Sequence, residues 1–172
     1  MEIERKFLIK ELPDDLESYR HEVLIQGYLS VNPVVRVRRE GERYVLTYKG
    51  SGLMAREEAN LPLTDESFYH LIKKADGIVI KKTRYYLPIL DDGTVSPDLS
   101  LSLEDYHSKG RLVELDIFEE ELDGLMVAEV EFPSIEEANS FTPLIWFGDD
   151  VTNDPSYHNS YLSRHGLDGQ KL

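Results

Sequence analysis

EIERKFLI, residues 2–9, alternates with a period of two. Glu2, Glu4 and Lys6 fall on one face, and Ile3, Phe7 and Ile9 fall on the other. Successive side chains of a β-strand point to opposite faces, so this segment reads as a strand with an ionic side and an apolar side. The apolar side needs a covering layer. Once it is covered, the charges must face an enclosed polar space.

The pattern recurs along the chain. In VVRVRR (34–39), Arg36 and Arg38 share a face against Val35 and Val37. Thr47 aligns with Lys49 in LTYKG, and Arg56 with Glu58 and Asn60 in AREEANL. Lys82, Arg84 and Tyr86 align in IKKTRYYL, Glu114 with Asp116 in VELDIF, and Glu129 with Glu131 in VAEVEF. A single pair of this kind is how any half-exposed antiparallel strand looks. The repetition leaves two readings, a sandwich with a charged exterior or a barrel with an ionic lumen.

Charge distribution favours the barrel. Residues 1–86 carry 15 Lys and Arg against 14 Asp and Glu, whereas residues 87–172 carry 4 against 19. A surface that serves only solubility intersperses both signs. Folding the two halves together sets cations opposite carboxylates. Such a lumen suits an anion with several phosphates and a divalent metal. Arg and Lys neutralise phosphate oxygens, and magnesium binds carboxylates together with substrate phosphates.

The remaining sequence is consistent with many short strands and few helices. Strands are expected near 2–10, 23–31, 34–40, 43–50, 54–62, 78–88, 99–104, 111–118 and 125–132, with turns at Gly41 and at Asp91-Asp92-Gly93. Helices are expected over 63–75 from Thr64, over 134–141 from the capping box of Ser134 and Glu137, and over 154–166 from Asp154-Pro155 to Gly166. A short helix is expected at 13–19. Segment 89–111 is polar and turn-rich and reads as a surface loop, with a mobile flap as the alternative.

The 172 residues suit a single domain spanning 1–172, with a flexible tail from about 166. Cysteine is absent, which excludes disulfides and thiolate metal sites. The net charge of -14 argues against a nucleic-acid partner held by a general basic surface. The first residues mix both signs, so no signal peptide is expected, and no run of 18 apolar residues predicts a membrane span. A cytoplasmic location is the expectation. His21, His70, His107, His158 and His165 show no ligand spacing, and most of them read as surface residues.

EIERKF (2–7), QGYL (26–29), RVR (36–38), TYKG (47–50), REE (56–58), KTRY (82–85), ELDIF (114–118), EVEF (129–132), WFG with VT (146–152) and YHN with Leu162 (157–162) occur in order. This set resembles the triphosphate tunnel metalloenzymes, or CYTH domains, and looks most like their small bacterial inorganic triphosphatase branch. The resemblance implies an α+β fold, mainly antiparallel β, with an eight-stranded β-barrel tunnel and flanking helices. It also implies dependence on Mg²⁺ or Mn²⁺ and a small triphosphate-bearing substrate. By position, Glu2, Glu4, Glu129 and Glu131 are implied to hold metal, with Asp116 joining them or orienting water. Lys6, Arg36, Arg38, Lys49, Arg56, Lys82 and Arg84 are implied to grip phosphates. Glu4, Lys6 and Tyr28 are implied as catalytic, Glu4 as base and Lys6 with Tyr28 as an assisting dyad. Asn60 departs from the pattern, since relatives often carry a carboxylate there. The implied activity is hydrolysis of tripolyphosphate to pyrophosphate and phosphate. The alternatives are a class IV adenylyl cyclase, a thiamine or nucleoside triphosphatase, and a non-catalytic polyphosphate-binding module. A homodimer stays open, because an exposed apolar patch is not visible in sequence.

Overall fold

The computed structural model describes residues 1–172. Its strands are β1 Glu2–Ile9, β2 His21–Val31, β3 Val34–Glu40, β4 Arg43–Lys49, β5 Ala55–Arg56, β6 Glu58–Pro62, β7 Asp76–Pro88, β8 Leu112–Phe118, β9 Met126–Glu131 and β10 Phe147–Asp150. The helices are α1 Asp65–Ile72, α2 Leu103–Ser108, α3 Ile135–Ser140 and α4 Asn159–His165. No helix is long and apolar enough to cross a membrane.

The strands pair in the order β10-β1-β9-β8-β7-β2-β3-β4-β6, with antiparallel neighbours throughout. The expected strand over 54–62 is broken at Glu57 into β5 and β6. β6 pairs with β4, and β5 crosses to β1, setting Arg56 opposite Glu2 and Ala55 opposite Ile3. This short seam brings the sheet round nearly into a closed barrel. With β5 and β6 counted together, the sheet has nine strands rather than the eight expected. The addition is β10, which lies along β1 at Phe7 and Ile9.

Three further expectations are corrected. Residues 99–104 form no strand, because Ser102 starts α2 with a full capping box to Asp105. The helix over 154–166 is a 3-10 turn at Pro155–Tyr157 followed by α4, which Gly166 terminates at φ 62. Thr64 and Ser134 cap α1 and α3 as expected. Residues 13–19 contain only a 3-10 turn at Leu16–Ser18.

The alternation of β1 now has its physical cause. Its odd-numbered residues face outward into an apolar layer. There Ile3 and Phe7 pack with Tyr85, Leu87, Val113, Leu115, Val130 and Phe147 beneath α3 and the segment that follows it. The inward face changes character along the barrel axis. Beyond the ionic residues, Leu8, Tyr28, Val34, Ile80, Phe118 and Val127 form a second apolar cluster with Tyr157 and Leu162. These residues make a dry floor, and α4 covers it. α4 reaches that position because Gly77, at the start of β7 with φ +69, lies against the Ser163 carbonyl, where a Cβ would collide.

Candidate active site

Above the floor, the inward faces enclose a cavity of about 350 Å³. Nineteen of its 22 lining residues are polar or charged. The strands deliver these side chains in register. Glu4 on β1 lies opposite Glu131 on β9, Lys6 opposite Glu129, and Arg84 on β7 opposite Asp116 on β8. Glu2, Glu4, Lys6, Tyr28, Arg36, Arg38, Lys49, Arg56, Arg84, Glu129 and Glu131 all line the cavity. Lys82 and Asp116 do not. Both are fully buried in the layer between cavity and floor. There Lys82 Nζ donates to Asp116 Oδ2 at 2.5 Å and to Asn159 Oδ1 at 3.2 Å.

One wall is a continuous ion-pair network. Lys6 Nζ donates to Glu129 Oε1 at 2.7 Å and lies 3.2 Å from Glu4 Oε1. Arg84 binds Asp116 through Nε and Nη2, both at 2.7 Å, reaches Glu129 at 3.0 Å, and also pairs with Glu114. Burial disfavours the Lys6 ammonium, but Glu129 and Glu4 outweigh it and hold the group above the ordinary lysine range. Glu129 is driven the other way: burial opposes its charge, yet Lys6 and Arg84 hold it well below the usual carboxylate range. Burial pulls Lys82 down to about 7 against the attraction of Asp116. Tyr28 and Lys6 share the cavity but not a hydrogen bond. The Tyr28 hydroxyl accepts from Gln26 Nε2 at 3.2 Å, and Lys6 is held by the carboxylates.

The seam is a smaller network. Lys49 Nζ lies 2.9 Å from Glu2 and 3.2 Å from Glu58, while Arg56 Nε lies 3.5 Å from Glu2. The β3 wall differs. Arg38 donates to Gln26 at 2.9 Å and to Glu40 at 3.0 Å. Arg36 makes no ion pair. Its Nη2 donates to the Thr47 hydroxyl at 3.1 Å, and its buried Nε has no partner. Burial and the adjacent Arg38 lower Arg36 below the ordinary guanidinium range. An unpaired buried cation is costly, and an incoming anion relieves that cost.

Several lining residues had no role assigned from sequence. Glu40 extends the Arg36–Arg38 spacing by two, and Glu58 and Glu114 belong to alternating runs, so their faces were readable. Two histidines are not simple surface residues. His107, on α2, puts Nε2 2.9 Å from Glu131 Oε2, so segment 89–111 contributes to the site. His158, at the start of α4, is buried, and its Nε2 lacks a partner. Burial first, then Lys6 and Arg56, lower His158 to about 4, so its imidazole is neutral at physiological pH.

As the side chains stand, no three His, Asp or Glu groups converge to hold a metal ion. The donor chemistry nevertheless fits a hard divalent cation. Glu4 Oε1 is buried and forms no hydrogen bond, its nearest cation being Lys6 at 3.2 Å, and Glu2, Glu129 and Glu131 surround the same space with carboxylate oxygens.

The chain is similar to characterised proteins over nearly its whole length. A family model described as CYTH domain matches residues 1–141. An inorganic triphosphatase of Nitrosomonas europaea is 37% identical over 166 residues, covering 94% of this chain and 96% of that protein. An inorganic triphosphatase of Acetivibrio thermocellus is 32% identical over 172 residues, covering 95% and 94%. The crystal structure of an inorganic triphosphatase, 34% identical, superposes with a TM-score of 0.63 over 95% of this chain and 94% of its own.

Proposed function

The chain belongs to the CYTH domain family, and from that premise we propose that it is an inorganic triphosphatase, hydrolysing tripolyphosphate to pyrophosphate and phosphate. The observation that carries this reading is a cavity crowded with ion pairs in which one buried arginine, Arg36, lacks an anion. Members of the family are generally metal-dependent. Glu2, Glu4, Glu129 and Glu131 would hold Mg²⁺ or Mn²⁺. When bound, such an ion supplies charge neutralisation of phosphate oxygens and acidification of the attacking water.

The chain's own residues do the rest. Arg36 and Arg38 receive one end of the polyanion, and Lys49 and Arg56 hold it along the seam. Glu4, whose Oε1 is approached only by the Lys6 ammonium at 3.2 Å, takes the proton of the water as its oxygen bonds to phosphorus. The bond from that phosphorus to the bridging oxygen breaks, and the electron pair leaves on pyrophosphate. Lys6 and Arg84, fixed as cations by their carboxylate partners, stabilise that charge. Lys82 and Asp116 act from behind, orienting Arg84. The apolar floor keeps bulk water from screening these charges at the base of the cavity.

Phosphate release from tripolyphosphate, measured with Mg²⁺, with Mn²⁺ and without metal, tests the reading. One phosphate and one pyrophosphate per substrate, only with metal, is the expected result. Cyclic AMP formed from ATP would instead identify an adenylyl cyclase, and faster turnover of thiamine triphosphate would move the substrate. Tight tripolyphosphate binding with no turnover at any metal concentration would identify a binding module.

A further inference from the structure

Arg36 is left without a carboxylate by a specific arrangement. Its Nη2 donates to Thr47 Oγ1 at 3.1 Å, and the Thr47 hydroxyl in turn donates to Asn60 Oδ1 at 2.6 Å. Asn60 Nδ2 then donates to Glu58 Oε1 at 2.6 Å. The chain of donors therefore runs in one direction, from guanidinium to carboxylate, through two neutral groups. Thr47 is fully buried and faces Asn60 directly across the β4–β6 pairing, which fixes the relay in place.

Only an amide meets both demands at position 60. Its oxygen accepts from Thr47 while its nitrogen donates to Glu58. An ionised aspartate could accept from Thr47 but would offer Glu58 no donor, and it would set two carboxylates side by side. Glu58 lies 3.2 Å from Lys49 Nζ, and the Asn60 amide donates to it at 2.6 Å, so the amide's nitrogen is committed to that carboxylate and its oxygen to Thr47.

We infer that Asn60 is a specificity-determining residue. Acting through Thr47, it keeps Arg36 the one uncompensated cation of the cavity, so that an end phosphate of the polyanion docks on Arg36 directly and not through a bridging metal. The inference rests on the triphosphatase reading for the identity of the substrate, but its test separates the two. A carboxylate at position 60 would compensate Arg36, repel the phosphate and make a bridging metal necessary at that end.

The experiment is calorimetric titration of inorganic tripolyphosphate into the full chain in excess EDTA, comparing wild type, Asn60→Asp and Asn60→Ala. Asn60 is exposed at the cavity rim, so neither change disturbs the packed layers. Asn60→Asp is expected to weaken metal-free binding about tenfold, and Asn60→Ala, which adds no charge, by less than about threefold. Restoring Mg²⁺ is expected to recover part of the Asn60→Asp loss. The inference is overturned if wild type does not bind tripolyphosphate in EDTA, if Asn60→Asp binds as tightly as wild type, or if Asn60→Ala loses as much as Asn60→Asp. Wild type that binds in EDTA with the expected variant pattern, yet releases no phosphate when metal is added, sinks the triphosphatase reading and leaves this inference standing.

Discussion

On the wall formed by β1, β7, β8 and β9, every inward cation has a carboxylate partner: Lys6 with Glu129, Lys82 with Asp116, and Arg84 with Glu114, Asp116 and Glu129. On the opposite wall, Arg38 shares Glu40 with Arg43, and Arg36 has only hydroxyl contact. The residue types are alike, but their electrostatic states differ. The first wall is saturated, so removing a sole partner leaves a stranded charge in a dry place, and its members hold the fold. The second holds unspent positive charge, so removing its arginine costs the fold little and the anion much.

The largest expected effect lies on the saturated wall. Asp116→Ala leaves buried Lys82 without a carboxylate and takes from Arg84 its two bonds to Asp116, and it should lower unfolding free energy by about 3–5 kcal/mol, read from urea denaturation. A loss below about 1 kcal/mol would erase the contrast between the walls. Next is the open wall: Arg36→Ala should cut kcat/KM for tripolyphosphate about 100-fold, the scale of a lost charge-assisted contact, while urea stability stays within about 1 kcal/mol. A large stability loss there would show that Arg36 is structural. Glu40→Gln sharpens the comparison from the other side. It frees Arg38 from its carboxylate and should tighten tripolyphosphate binding about threefold in titration calorimetry.

The smallest effect belongs to a pair outside the cavity, Arg5 with Asp150 at 2.7 Å. Burial raises the Asp150 carboxyl, but the Thr152 hydroxyl and Arg5 more than offset it, leaving the group below its ordinary value of 3.8. A depressed carboxylate stabilises the fold above its unfolded value and loses that contribution as pH falls through its folded value. Denaturation midpoints of wild type and Asp150→Asn should therefore differ at pH 7 and converge as the pH falls past 3.8 and on through the lower folded value. A gap that persists in acid would mean that packing, not charge, separates the two proteins.

The barrel and the inward charges were legible because a period of two assigns faces without knowledge of the fold. Depth along the barrel axis was not legible. Arg84 and Lys82 share a face and differ by one step, yet one lines the cavity and the other is sealed beneath it. That difference depends on how far each strand slides past its neighbour, which no local pattern encodes. β10 was missed because four residues are too few to show alternation. The strand expected at 99–104 gave way to α2 because Ser102 and Asp105 satisfy the helix's first amides, a local gain stronger than a brief run of leucines. His107 and His158 were passed over because each reaches the cavity from a separate helix, with no partner nearby in sequence.

Gly77 carries no charge and touches none of the cavity, yet it determines how closely α4 seats on the barrel. α4 in turn brings His158, Asn159 and Ser160 to the base of the cavity. A methyl group at that bend would lift the helix like a wedge under a hinge, giving solvent a back door to charges that now work in a sealed room. The electrostatics of the site are thus set partly by the smallest side chain in the protein, on a face the ligand never meets.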